Sequence, residues 1–206
     1  MKKISTTILI DGIEYDVIIE KKNIKNVYFR FHNGKFYASC PIFYLKSFVI
    51  KNLHIYAKKL IKEPRVDLQN HTIQIFGEKI VSEKNIFNVL GYSLQVNSSE
   101  DFYKQIKPIL FKYISERVLK LSIEMGVELE YKVKIKEMKS RLGSNSKATN
   151  TLNFTSKLIH FSKDAIDSVI IHELAHYFYF DHSKNFYDVV YKYCPNYDKL
   201  NKEFKQ

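Results

Sequence analysis

The stretch "SVIIHELAHYFYFDHSKNFY", residues 168–187, sets three histidines and one glutamate within eleven positions of an otherwise apolar segment. A segment this apolar has to be buried over much of its surface. Imidazole and carboxylate groups enter a core only when they are hydrogen-bonded, paired or bound to a cation. The fold must therefore sort these side chains by direction. On an α-helix His172 and His176, four residues apart, lie about 40° apart around the axis and one turn apart along it. Ile166, Ile170, Ile171, Leu174, Tyr177 and Phe178 then fall roughly opposite. The spacing predicts a helix opening near Lys163 and Asp164, with Asp164 as its cap, that buries the apolar stripe and turns both imidazoles toward a cleft. The chain is expected to leave this helix near Phe180-Asp181.

Two histidines presented from one rigid helix suit a zinc ion, which takes imidazole nitrogens at about 2.0–2.1 Å. Glu173 projects beside them, near enough to act on a water held by the ion without being a ligand, which is the logic of H-E-x-x-H. Five residues alone are a moderate signal, and His182 strengthens them. It lies six positions after His176, just before Ser183, a good cap for a following helix, so a turn can swing it back as a third ligand. Three histidines leave the fourth tetrahedral position open for water, the mark of a catalytic rather than a structural site. The site residues read here are thus His172, His176 and His182 for Zn2+ and Glu173 as general base. His160 and His54 are alternatives to His182 as third ligand. Arg141, Tyr177 and Tyr179 are candidates for stabilising an oxyanion, although the tyrosines and the rest of "YFYF" read better as packing residues.

The remainder of the chain reads as α+β. Asp11-Gly12 and Asn33-Gly34 each separate two strand-like runs, giving two hairpins of a small antiparallel sheet. Helical spacing from Tyr44 to Glu63, closed by Pro64, predicts one covering helix. Residues 72–97 return to short β-like runs with Gly77 and Gly91 at the turns. Ser98 and Ser99 offer caps for a long amphipathic helix that contains Pro108 and that Gly126 can end. "YKVKIKEMK" alternates as a strand, "SRLGSNSKATN" is turn-rich, and "TLNFTSKLIHF" reads as one or two strands. The division expected is an N-terminal β-rich region with one helix at 1–97 and a helical bridge with the catalytic domain at 98–206.

Charge and cysteines narrow the setting. The net charge of +11 invites nucleic acid, but 29 of the 33 basic residues are lysine, and base-edge readout favours arginine. Basic residues are also spread evenly, 15 in residues 1–100 and 18 in 101–206, so a lysine-rich solvated surface is the simpler reading. No apolar run reaches the roughly 18 residues of a membrane span, and "MKKISTTILIDG" reads as a first strand rather than a signal peptide. Cys40 and Cys194 stand far apart in no metal-spaced pair, which fits a reducing cytoplasm. Two other functions share these residues: hydrolysis of a phosphate ester or nucleotide at the same metal, and a non-enzymatic nucleic-acid-binding module with a structural zinc.

The metzincin pattern H-E-x-x-H-x-x-G-x-x-H has the same ligand spacing, but its glycine position is Tyr179, and all three methionines precede the motif. The chain resembles instead the YgjP-like metallopeptidases, small zincins related to SprT-like proteins. "HELAHYFYFDHSKNF" is similar to that family's H-E-L-x-H, five residues and H-S-x-x-F. "CPNYDK" resembles its Pro-x-Tyr segment, "MKSRLGSNS" its R-W-G-S-C segment, "LNF" its strand and "IQIFGEKI" its F-G hairpin. The likeness runs from about residue 20 onward, with Leu142 in place of the tryptophan and Asn145 in place of the cysteine. It implies a minimal zincin-type metallopeptidase domain after the N-terminal region, a polypeptide substrate in extended conformation, and a strand near Leu152 to His160 bordering the cleft, to which that substrate adds. Through the SprT-like relatives it also implies an association with nucleic acid.

Overall fold

The computed structural model describes residues 3–32, 34–61, 65–138 and 140–205. Asn33 of the second turn signal, Glu63 and Pro64 at the expected helix end, and Lys139 of the "MKSRLGSNS" segment lie outside the described residues. The chain forms two compact units, Met1–Glu63 and Pro64–Gln206.

In the first unit β1 (Lys3–Ile10) and β2 (Ile13–Lys22) form an antiparallel hairpin. Asp11 and Gly12 turn it with φ of 49° and 82°, the two positive values a tight primed turn requires. A second hairpin joins β3 (Tyr28–His32) to β4 (Lys35–Pro41). The two hairpins meet through a parallel pairing of β2 with β4, giving the order β1-β2-β4-β3. The connection from β2 to β4 runs through β3, which gives parallel neighbours the crossover they need. Period-two alternation puts Ile8, Val17, Ile19, Phe36 and Ala38 on one buried face. Against it packs α1 (Lys46–Leu60) through Val49, Leu53 and Ala57. That strict four-residue stripe leaves Leu45, Phe48 and Tyr56 exposed, although all three belong to the apolar pattern that predicts the helix.

The second unit begins with β5 (Val66–Asp67), β6 (Thr72–Ile75) and β7 (Glu78–Val81) in one antiparallel sheet, then β8 (Ile86–Val89) and β9 (Tyr92–Gln95) as a hairpin. These strands bury Ile73, Phe87 and Leu94 in the same core as the later helices. The compact units therefore divide at 63/64, and the expected 97/98 boundary falls inside the second of them. Next comes α2 (Ser99–Met125), with Pro108 inside it. Ser98 caps it, accepting a 3.0 Å bond from the Asp101 N–H, and Gly126 ends it at φ 72°, a left-handed conformation open to glycine.

The sheet that reaches the site consists of β10 (Lys132–Lys136), β11 (Gly143–Ser146) and β12 (Thr151–Thr155), ordered β10-β12-β11. β12 is parallel to β10 and antiparallel to β11. The helices α3 (Lys163–Ala175), α4 (Lys184–Tyr193) and α5 (Tyr197–Leu200) follow. The expectation that residues 152–160 form a cleft-side strand open to substrate is corrected here. β12 is paired on both sides, and Ser156–His160 is a buried 3-10 helix. Among the described residues no helix is long and apolar enough to cross a membrane.

His160 shows what a buried histidine looks like when it serves the core. Its Nδ1 lies 2.7 Å from the Gln74 carbonyl and its Nε2 2.7 Å from the Tyr103 hydroxyl, and its ring stacks on Phe102. Burial pushes its pKa down to about 4, so the ring is neutral, donating from Nδ1 and accepting at Nε2. Both nitrogens are committed to tying β6 and α2 to the 3-10 helix, and neither is free for a metal. His160→Leu should lower stability by about 2–4 kcal/mol at pH 7, read by urea unfolding. The gap to the parent should narrow as pH falls from 6.5 toward 4, because the unfolded parent takes up a proton that folded His160 refuses.

Candidate metal centre

The helix carrying H-E-x-x-H is fixed from its buried side. Ile166, Ile170 and Leu174 are fully buried, and Ser162, not Asp164, caps the helix by accepting a 3.2 Å bond from the Ala165 N–H. Asp164 occupies the first turn, where its charge suits the helix dipole. Regular α-helix ends at Ala175 rather than near Phe180-Asp181. Turn bonds from the Tyr177 N–H to the Leu174 carbonyl and from the Phe178 N–H to the Ala175 carbonyl (2.9 and 3.0 Å) close it. His176, next in the chain, keeps helical φ, so the i, i+4 geometry with His172 survives. The aromatic residues after it do not continue the buried stripe. Tyr177 and Phe178 are 38% and 39% exposed, which corrects their reading as core.

The turn returns His182 to the helix. The residue sits at φ 52°, a left-handed conformation that costs a non-glycine residue on the order of 1 kcal/mol. One ligand atom from each of His172, His176 and His182 lies within 4.8 Å of the others. The Nε2 atoms of His172 and His182 are 3.2 Å apart. Two nitrogens bound to one tetrahedral zinc stand about 3.3 Å apart, since each bond is about 2.05 Å. His54, the other alternative for third ligand, lies exposed on α1 of the first unit.

What surrounds the imidazoles suits a cation. Burial pushes His172 down to about 4 and lowers His176, and the neighbouring histidines act in the same direction. The rings are therefore neutral, the form that binds a metal. His176 Nδ1 lies 3.1 Å from the Tyr179 carbonyl, so Nδ1–H donates and Nε2 is left free. His172 Nδ1 lies 2.7 Å from the Tyr197 hydroxyl. Beneath the three rings Phe186, fully buried, contacts each with centroid distances of 4.7–4.9 Å. This donor set fits a borderline ion such as zinc, and the ring nitrogens of His172 and His176 that face away from the shared point are held by protein groups, as is usual for ligating histidines.

Glu173 is 5% exposed. Burial raises its carboxyl to about 7, against the Arg141 charge and a bond from the Asn145 backbone N–H, both of which favour the anion. The Asn145 side chain also donates to the Glu173 backbone carbonyl at 2.8 Å and to the Tyr131 hydroxyl at 3.0 Å. Asn145 thus pins β11 against α3 at the level of the carboxylate. Two positions earlier in the same strand, a Cβ on Gly143 would meet Glu173 Oε1 at 2.7 Å and Cγ at 2.9 Å, so only glycine leaves the carboxylate where it is. Histidines, Glu173, β11 and Tyr197 line one cleft of about 530 Å3. Arg141 and Leu142 line it too, whereas Tyr177 and Tyr179 do not. The arrangement brings three imidazoles, a buried carboxyl and, among the described residues, the outer strand of a sheet into one space.

A model of the YgjP-like family, metallopeptidase domain, matches residues 62–206, well over half of the chain. The match begins later than the likeness from about residue 20 that the sequence suggests. Among solved structures the chain is similar to the metallopeptidase zymogen of Methanocaldococcus jannaschii jannalysin, with a TM-score of 0.42 and 23% identity over 45% of this chain and 94% of that one. It is also similar to the zymogen of Pyrococcus abyssi abylysin, with a TM-score of 0.42 and 20% identity over 44% and 90%. No curated protein matches.

The raised carboxyl has a consequence for the metal-free protein. Between pH 4.5 and 7 folded Glu173 holds a proton that the unfolded chain has released, so stability falls as pH rises through that window. Removing the charge as Glu173→Gln should therefore raise the melting temperature at pH 8 and change it little at pH 5. The shift from 4.5 to about 7 bounds the gain at roughly 3 kcal/mol. An equal effect at both pH values would contradict the assigned cause.

Proposed function

The chain belongs to the YgjP-like metallopeptidase family, and from that premise we propose that it is a zinc-dependent peptidase in which His172, His176 and His182 hold the ion and Glu173 is the general base. The reading rests on one observation above the rest: three imidazoles converge within 4.8 Å beside a buried carboxylate in one cleft. Zinc bound there would supply a Lewis acid that polarises a substrate carbonyl and brings the pKa of a water toward 7.

The chain's own residues do the remainder. The buried Glu173 carboxyl beside the ligand set is the group placed to take a proton and return it to a leaving amine. The Asn145 N–H, bonded to that carboxyl, and the gap over Gly143 hold it in one position through both transfers. Substrate binding falls to β11. As the outer strand of its sheet beside the cleft, it presents main-chain groups to which an extended polypeptide can add, with recognition that depends little on side chains. Arg141 is the cleft's cation nearest in chain to this strand and the candidate to meet developing negative charge.

Purified protein should hold about one zinc per chain, and His176→Ala should lose it. Glu173→Gln should keep the metal while turnover of an unstructured polypeptide falls by roughly 10^2–10^4. A zinc-loaded Glu173→Gln protein that cleaves at the parent rate removes the base assignment. Nucleotides assayed alongside the polypeptide separate peptidase from phosphoesterase chemistry. Gly143→Ala should likewise retain zinc and lose most activity, through displacement of Glu173 rather than loss of any ligand.

A further inference from the structure

We infer that Tyr197 is a positioning residue of the metal centre: its hydroxyl, bonded to His172 Nδ1, fixes the tautomer that turns the His172 Nε2 lone pair toward the point shared with His176 and His182. The inference rests on the ligand set proposed above.

Geometry carries it. The Tyr197 oxygen lies 2.7 Å from His172 Nδ1, and the two rings lie nearly parallel, 10° apart, with centroids 5.9 Å from each other. Both the phenol and the imidazole are largely out of solvent, Tyr197 at 7% exposure. A neutral imidazole has one N–H and one lone pair. For Nε2 to accept a cation, Nδ1 must carry the hydrogen, and the Tyr197 oxygen is the atom in place to receive it. The phenol oxygen has two lone pairs, and the Asn201 side chain bonds to it as well. The oxygen can accept from both when its own hydrogen turns into the cleft that Tyr197 lines; donated to Nδ1 instead, that hydrogen would select the other tautomer. His176 obtains the same result from the Tyr179 carbonyl, an acceptor by nature. His172 depends on a side chain twenty-five residues away in α5, a four-residue helix. Besides His182, the segment after the H-E-x-x-H helix thus contributes Phe186 beneath the rings and Tyr197 beside the first of them.

Without the phenol oxygen the buried Nδ1–H has no partner, and the alternative tautomer, with its hydrogen on Nε2, competes with the metal. Partners of this kind typically change metal affinity by 10–100-fold. The experiment compares the full-length parent, Tyr197→Phe and His176→Ala for zinc affinity by chelator competition. Long-range 15N–1H correlation of histidine rings in the metal-free proteins at pH 8 reads the His172 tautomer directly, with the signal assigned by His172→Gln. Tyr197→Phe keeps the ring packing, and its far-UV circular dichroism checks that it folds. The expected result is zinc binding that falls 10–100-fold in Tyr197→Phe, with His172 changing from one Nδ1–H form to a mixture. Affinity within twofold of the parent overturns the inference, and so does weaker binding with an unchanged tautomer, which would make Tyr197 a packing residue. If the parent binds zinc no better than His176→Ala, the ligand set itself fails, and this inference falls with it.

Discussion

Packing α3 into the core leaves His172, Glu173 and His176 a single direction in which a ligand or water can reach them. Ile166, Ile170 and Leu174 hold the helix on its buried side, and β11 closes over the carboxylate from the other. Burial on both sides makes the polar groups costly, and the structure answers that cost locally. The histidines are held neutral, their outward nitrogens are bonded to Tyr197 and the Tyr179 carbonyl, and the glutamate is kept close to its protonated form. His172 and Glu173, both strongly shifted, lie together in one cleft, which is the arrangement expected where chemistry is carried out.

The sheet arrangement matters to the same site. β12, flanked on both sides, is a rigid support, and β11 can be positioned against it while keeping one edge unpaired. The grip of Asn145 on the α3 backbone joins that edge to the helix. Strand and carboxylate are therefore set in one frame.

Much of this was legible in the residues, for identifiable reasons. The spacing of His172 and His176 needs only helical periodicity, and the Asp11-Gly12 and Gly126 signals are local backbone demands. Four features were not legible. The parallel joining of β2 with β4 depends on tertiary pairing that no turn residue encodes. The early end of α3 leaves Tyr177 and Phe178 partly exposed, against their hydrophobicity. Gly143 sits in a turn-rich stretch where glycine has an ordinary explanation, and its close approach to Glu173 exists only once β11 meets α3. Tyr197 lies far enough along the chain from His172 that no local pattern links them.

The left-handed backbone at His182 distinguishes this ligand from its two companions. His172 belongs to the regular helix and His176 continues its spacing, both backed by a packed core, whereas His182 is solvent-exposed and occupies a conformation that the chain alone disfavours. Within the proposed ligand set, coordination is what would offset that cost. Such a site would have a natural order of assembly and release, with His172 and His176 meeting an ion first and His182 last. Metal exchange would begin with the swing of a single backbone turn, leaving the core undisturbed.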